Sequence, residues 1–125
     1  MKNLPAILFA LFLTSGLLHA QEPAARVQTI FQNLMAAVQT GDHAAMTING
    51  DAAFKTGLTK EMVAGVHALL APRMKEGYTA TFLTAMRQAG YEVYLWKLSF
   101  KDGRDDMLAK VLLNKDGQVA GFWIN

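Results

Sequence analysis

Three pairs, Ala89-Gly90, Asp102-Gly103 and Asp116-Gly117, cut the C-terminal half of this chain into four long, mostly alternating segments. Asp-Gly between β-rich runs is a strong hairpin signal, because a two-residue hairpin turn needs positive φ at its centre. The segments Thr79–Gln88, Tyr91–Lys101, Arg104–Asn114 and Gln118–Ile124 therefore read as one antiparallel meander. Tight turns also fix register. The turn at 89–90 sets Gln88 opposite Tyr91, hence Arg87 opposite Glu92, Ala85 opposite Tyr94 and Leu83 opposite Trp96. The turn at 102–103 sets Leu98 opposite Met107, Trp96 opposite Ala109 and Tyr94 opposite Val111. Opposite charges at 87 and 92 favour this pairing.

That register sorts the sheet into two faces. One carries Leu83, Tyr94, Trp96, Leu98, Phe100, Met107, Val111, Leu113, Phe122 and Ile124, and must pack on helices. Ala85 and Ala109 beside Trp96 imply interlocking volumes rather than a void. The other carries Phe82, Met86, Val93, Leu95, Leu108, Leu112, Val119 and Trp123, interrupted by Thr84, Lys97, Ser99, Asp106 and Lys110. A solvated sheet face normally reads polar along its length. An apolar patch of this extent implies a cover. Phe82, Val93, Leu95, Leu108, Leu112 and Trp123 are thus the expected interface with a second copy or a protein partner. The 47–58 loop, the last strand or an apolar ligand could instead cover part of it. Lys97 and Lys110 fall on diagonal positions roughly 7–8 Å apart. Set among Leu95, Leu108 and Trp123, they could receive the carboxylate of an amphipathic ligand. Equally, their stems could cover apolar surface while the ammonium groups reach water.

The first half reads as helices. Val27, Ile30, Phe31, Leu34, Met35 and Val38 form one helical stripe, which Gly41 stops. Asp42 can cap a short second helix. Residues 47–58 stay open between the Asn49-Gly50 turn and a short strand around Ala53. Thr59 can cap a third helix with the inner stripe Met62, Val63, Val66, Leu69 and Leu70, ended or nearly ended by Pro72. The expected fold class is α+β: three N-terminal helices packed on one face of a curved, cone-like antiparallel meander, forming a single domain over 21–125.

Lys2 followed by the apolar run Ile7–Leu13 and the exit Leu17-Leu18-His19-Ala20 predicts a secretory signal peptide over 1–20, cleaved after Ala20. The run is too short for a bilayer-spanning helix, which needs roughly 20 apolar residues. A periplasmic or secreted location follows, with no membrane association after cleavage. The absence of cysteine excludes disulfides, thiol catalysis and zinc–thiolate sites. Whole-chain charge is only +2, from 12 Lys+Arg against 10 Asp+Glu, which is no footprint for nucleic acid.

Three helices followed by a bent meander resemble the nuclear transport factor two-like (cystatin-like) superfamily. The resemblance is most specific at Tyr94–Gly103 and at Asp116–Trp123, which look like the penultimate strands and the closing strand of small exported bacterial members. Thr40-Gly41-Asp42 is similar to the break between that family's first two helices. The resemblance implies architecture and frequent dimerisation rather than a reaction.

Enzymes of that superfamily hold an Asp, Tyr or His inside the cone. Here the inner sheet face offers only Tyr94 as a titratable group, beside Trp96, so Tyr94 and Trp96 are the candidate lining of an apolar-ligand site. His43 and His67 have no adjoining carboxylate cluster at metal-ligand spacing. Ser99 has no histidine near it in this register, and no Gly-rich phosphate loop occurs. No catalytic residue, metal or cofactor is expected. The expected function is an exported binding or interaction module. It would be a homodimer or a domain that docks a partner through the outer sheet face. The alternative is a small apolar-ligand carrier or degenerate enzyme using the cone.

Overall fold

A computed structural model describes residues 22–125. The expected signal peptide and its cleavage after Ala20 lie outside the described residues. Four helices come first: α1 (Ala25–Thr40), α2 (His43–Thr47), α3 (Ala52–Gly57) and α4 (Lys60–Glu76). An open antiparallel meander of order β1-β2-β3-β4 follows, with β1 Tyr78–Gln88, β2 Tyr91–Phe100, β3 Met107–Leu113 and β4 Val119–Ile124. The fold is α+β, with the helices preceding the sheet.

The helix ends follow local chemistry. α1 buries the whole expected stripe, and Gly41 closes it with φ 72°. Asp42 accepts the Ala45 N–H at 3.0 Å, and Thr59 accepts the Met62 N–H at 3.1 Å. One open stretch takes a definite form, and two expectations fail. The 47–58 stretch forms α3 rather than a strand around Ala53, because Asp51 accepts the Phe54 N–H at 2.8 Å and starts a helix. Its one strand-like feature is a parallel bridge between Gly50 and Val119. Pro72 does not end α4, which runs on to Glu76. A proline inside a helix costs about 3 kcal/mol. Anchorage of the last turn offsets that cost: Met74 is buried, and Arg73 Nε donates to Asp102 Oδ2 at 2.6 Å with its guanidinium 3.9 Å over the Phe100 ring. Finally, the inner stripe of α4 is narrower than expected. Val63 and Leu70 are buried, but Met62, Val66 and Leu69 face solvent.

In the sheet, β2 and β3 pair as the turns predict, with Leu98↔Met107, Trp96↔Ala109 and Tyr94↔Val111. Their connection is nevertheless six residues, 101–106, rather than a two-residue turn. Two irregularities move residues between faces. β1 holds the expected register from Gln88 to Ala85, and Arg87 Nε sits 3.4 Å from the Glu92 carboxylate. A bulge then pairs Thr84 with Leu95 and Phe82 with Trp96, leaving Leu83 without a partner. Phe82, expected outside, therefore turns inward and meets Trp96 edge-on at 5.5 Å. Leu83, expected inside, is exposed. On β4, Leu112 pairs with Gly121 but Leu113 with Val119. Val119, expected on the outer face, is accordingly buried in the core.

Candidate functional site

The core joins the helices to one face of the sheet only. Its strand members are Trp96, Leu98, Phe100, Ala109, Val111, Leu113 and Val119, with Phe82 and Tyr94 among those packed at its margin. The opposite face follows from the register: Thr84 and Met86 on β1; Val93, Leu95 and Lys97 on β2; Leu108, Lys110 and Leu112 on β3; Gly121 and Trp123 on β4. None of these residues belongs to the core cluster or packs against it.

Of the expected interface residues, Leu95, Leu108, Leu112 and Trp123 lie on this face with solvent access. Val93 also lies there, opposite Met86 and Leu112, but at 2% exposure it adds no surface. Phe82 is the one that leaves the set, through the β1 bulge. Met86 and Leu108 are exposed, and Trp123 is half exposed at 49%.

Trp123 has a seat that sequence reasoning missed. A Cβ built on Gly121 would stand 2.3 Å from its indole ring, so the ring lies across Gly121 on the same strand face. Lys110 Nζ sits 5.3 Å from the ring centroid. Side chains two apart on a strand share a face, so the Gly-Phe-Trp spacing was the available signal. Gly121→Ala is expected to push the indole off its seat while the domain stays folded, at a cost of about 1 kcal/mol or less. Increased acrylamide quenching of tryptophan fluorescence is the check, and unchanged quenching contradicts the seat.

The four expected ligand residues divide between the two faces and make no common site. Lys97 pairs with Leu108, and Lys110 with Leu95 and Trp123, the diagonal expected from the turns. Neither lysine has an ion pair among the described residues, and no carboxylate occupies an outer-face position in the strands. Tyr94 and Trp96 are inside. Trp96 is 1% exposed and stacks face to face on Phe31, with centroids 3.9 Å apart and planes at 4°. Tyr94 lines an open depression with Pro23, Phe82 and Leu83. Partial burial and the nearby Glu92 charge push its phenol above the usual value.

The histidines tie the helices together. His43 Nε2 lies 2.6 Å from the Leu58 carbonyl, and His67 Nδ1 lies 2.9 Å from the Val38 carbonyl. Each bonded ring nitrogen must carry a proton, since the carbonyl only accepts. Gly41 is needed beside His67, whose ring would come within 3.1 Å of an added Cβ. Among the described residues, no group of three or more His, Asp or Glu could hold a metal, and no helix is long and apolar enough to cross a membrane. No protein-family model matches the chain, and no curated protein matches it.

Proposed function

We propose that this chain is an exported interaction module, of the nuclear transport factor two-like kind, that docks a protein partner through the outer face of its sheet. The observation that carries the reading is the composition of that face. Leu95, Leu108, Leu112 and Trp123 have solvent access and lie outside the core cluster that joins the helices to the other face, and the only charges between them are two lysines without an ion pair among the described residues. Two such faces brought together would set lysines against lysines. An apolar partner surface bearing carboxylates would complete both features at once. The cone-ligand alternative draws no support from the interior, where Trp96 is stacked on Phe31 rather than turned toward an opening.

The double variant Leu95→Glu/Leu112→Glu tests this. Cross-linked complexes from the exported pool, read by native mass spectrometry, are expected to disappear while far-UV circular dichroism stays unchanged. Lys97→Glu/Lys110→Glu is expected to weaken the same complexes. Complexes unaffected by both double changes exclude the outer face as the docking surface.

A further inference from the structure

The two edges of the sheet differ. On β4, the Val119 N–H donates to the Asn49 carbonyl at 2.8 Å, and the Val119 carbonyl accepts from the Asp51 N–H at 2.9 Å. The α2–α3 connection thus occupies part of that edge. On β1, the Lys101 N–H donates to the Gly77 carbonyl at 2.9 Å, which fixes the phase of the ladder. Facing residues of an antiparallel pair alternate between those that exchange both backbone hydrogen bonds and those that exchange none. Thr79 and Thr81 therefore bond inward to β2, while Tyr78, Ala80 and Phe82 turn N–H and carbonyl groups to the outer edge, up to the bulge at Leu83. No backbone group outside the β1–β2 ladder reaches them among the described residues. Thr79, Ala80 and Thr81 are exposed. Edge strands avoid their own copies by means of charges, proline or a bulge. Tyr78–Met86 has neither charge nor proline, and its bulge comes after the open stretch.

We propose that β1 pairs antiparallel with β1 of a second copy, joining the two sheets across a two-fold axis at Ala80. The open groups select this register. With Ala80 facing Ala80 of the partner subunit, Tyr78 faces Phe82 of the partner subunit, and Phe82 faces the partner's Tyr78. Every outward N–H and carbonyl of these residues then finds a partner, and a one-residue slip leaves some unpaired. Between them, Thr79 falls opposite Thr81 of the partner subunit, a mildly favourable cross-strand pair. The axis passes through a small side chain.

The flank of α1 suits the same occupant. Gln28, Gln32 and Gln39 line an open depression with Tyr78 and Ala80, and α1 carries no charge from Val27 to Thr40. Each amide both donates and accepts, so two such flanks brought toward one axis meet without repulsion. An extended strand of another protein would use the same backbone groups, but nothing charged along this edge selects one. The shared ladder is about 17 Å long, so the contact is small and the dimer is expected to dissociate on dilution. The inference is independent of the outer-face reading, since it uses backbone groups of β1 and leaves Leu95, Leu108, Leu112 and Trp123 free.

Sedimentation velocity of the purified chain from about 5 to about 300 µM spans the range in which a contact of this size dissociates. A monomer–dimer equilibrium is expected. Ala80→Pro, which removes an N–H that β2 does not use, is expected to abolish it with the circular dichroism unchanged. Thr79→Glu/Thr81→Glu, at two exposed positions, sets like charges across the axis and should weaken the dimer by about tenfold. Thr79→Lys/Thr81→Glu sets opposite charges there and should retain it. The chain has no cysteine, and Cα atoms of a hydrogen-bonded antiparallel pair stand about 5.5 Å apart, within disulfide reach. Ala80→Cys should therefore cross-link the dimer on mild oxidation, whereas Met86→Cys, on the outer face, should not. A monomer at every concentration, a dimer indifferent to Ala80→Pro and Thr79→Glu/Thr81→Glu, or a Thr79→Lys/Thr81→Glu dimer no tighter than Thr79→Glu/Thr81→Glu overturns the proposal. A dimer lost in Leu95→Glu/Leu112→Glu but kept in Ala80→Pro also overturns it, and places self-association on the outer face. A monomeric chain whose complexes in the exported pool vanish in Ala80→Pro overturns it too, and gives the edge to a foreign strand.

Discussion

Trp96→Ala is expected to cost about 3–5 kcal/mol of folding stability, the largest loss among single substitutions considered for this chain. The ring is the point where helix and sheet meet. It stacks on Phe31 of α1, takes the edge of Phe82 from β1, and faces the small Ala109 across the ladder to β3. Truncation leaves a void bordered by three separate elements, which cannot all move in to fill it. A domain of this size has roughly 5–15 kcal/mol of stability in total, so the variant would be near its threshold at room temperature. Trp96→Phe should cost less for a second reason. The buried indole N–H finds no acceptor among the described residues, and an unpaired buried donor is itself unfavourable by about 1–3 kcal/mol. Urea unfolding followed by far-UV circular dichroism measures both variants. A loss below about 1 kcal/mol for the alanine variant is incompatible with a ring packed on three sides.

Trp96 also shows what the sequence made legible. Its pairing with Ala109 follows from counting outward from Asp102-Gly103, although the chain there makes a six-residue loop rather than the two-residue turn assumed. The count survives because the residues between the last pair, Leu98 and Met107, are still centred on the same two positions. What could not be counted were the two irregularities. A bulge adds one residue to one strand and leaves the alternation on either side intact, so Phe82-Leu83 and Val119-Ala120 read equally well in either phase. Alternation alone therefore puts Phe82 and Val119 on the outer face, whereas both turn inward, and it puts Leu95, Leu108, Leu112 and Trp123 on the outer face, where they lie. The α3 helix was hidden differently. With six residues it is too short for a hydrophobic period, and its one signal is the Asp51 cap. On α4, the spacing of five apolar residues predicts one inner stripe, although only Val63 and Leu70 of them reach the core.

Removing the Asp102 carboxylate is expected to release the end of α4 from the sheet and to change how stability depends on pH. Pro72 leaves the last helical turn without one of its hydrogen bonds, so that turn depends on tertiary contacts. Asp102 takes hydrogen bonds from Arg73 Nε at 2.6 Å and from the Arg104 N–H at 2.9 Å, while Arg73 Nη2 also donates to the Asp105 carbonyl at 2.9 Å. The Arg73 hydrogen bond, assisted by that of Arg104, holds the Asp102 carboxyl below the usual carboxylate range. The folded chain therefore binds this proton less readily than the unfolded chain, in which the group titrates near its ordinary value of about 3.9. Its stabilising contribution is complete above that value and is lost as pH falls through the lower folded-state value. Asp102→Asn should thus lower the melting temperature most at about pH 6, with the gap to the unmodified chain narrowing below about pH 4. Arg73→Lys separates charge from geometry. It keeps the cation but loses the planar fork that reaches Asp102 and Asp105 together and the stacking over Phe100. If Arg73→Lys melts with the unmodified chain at pH 6, charge alone holds the joint. If it melts near Asp102→Asn, the fork does.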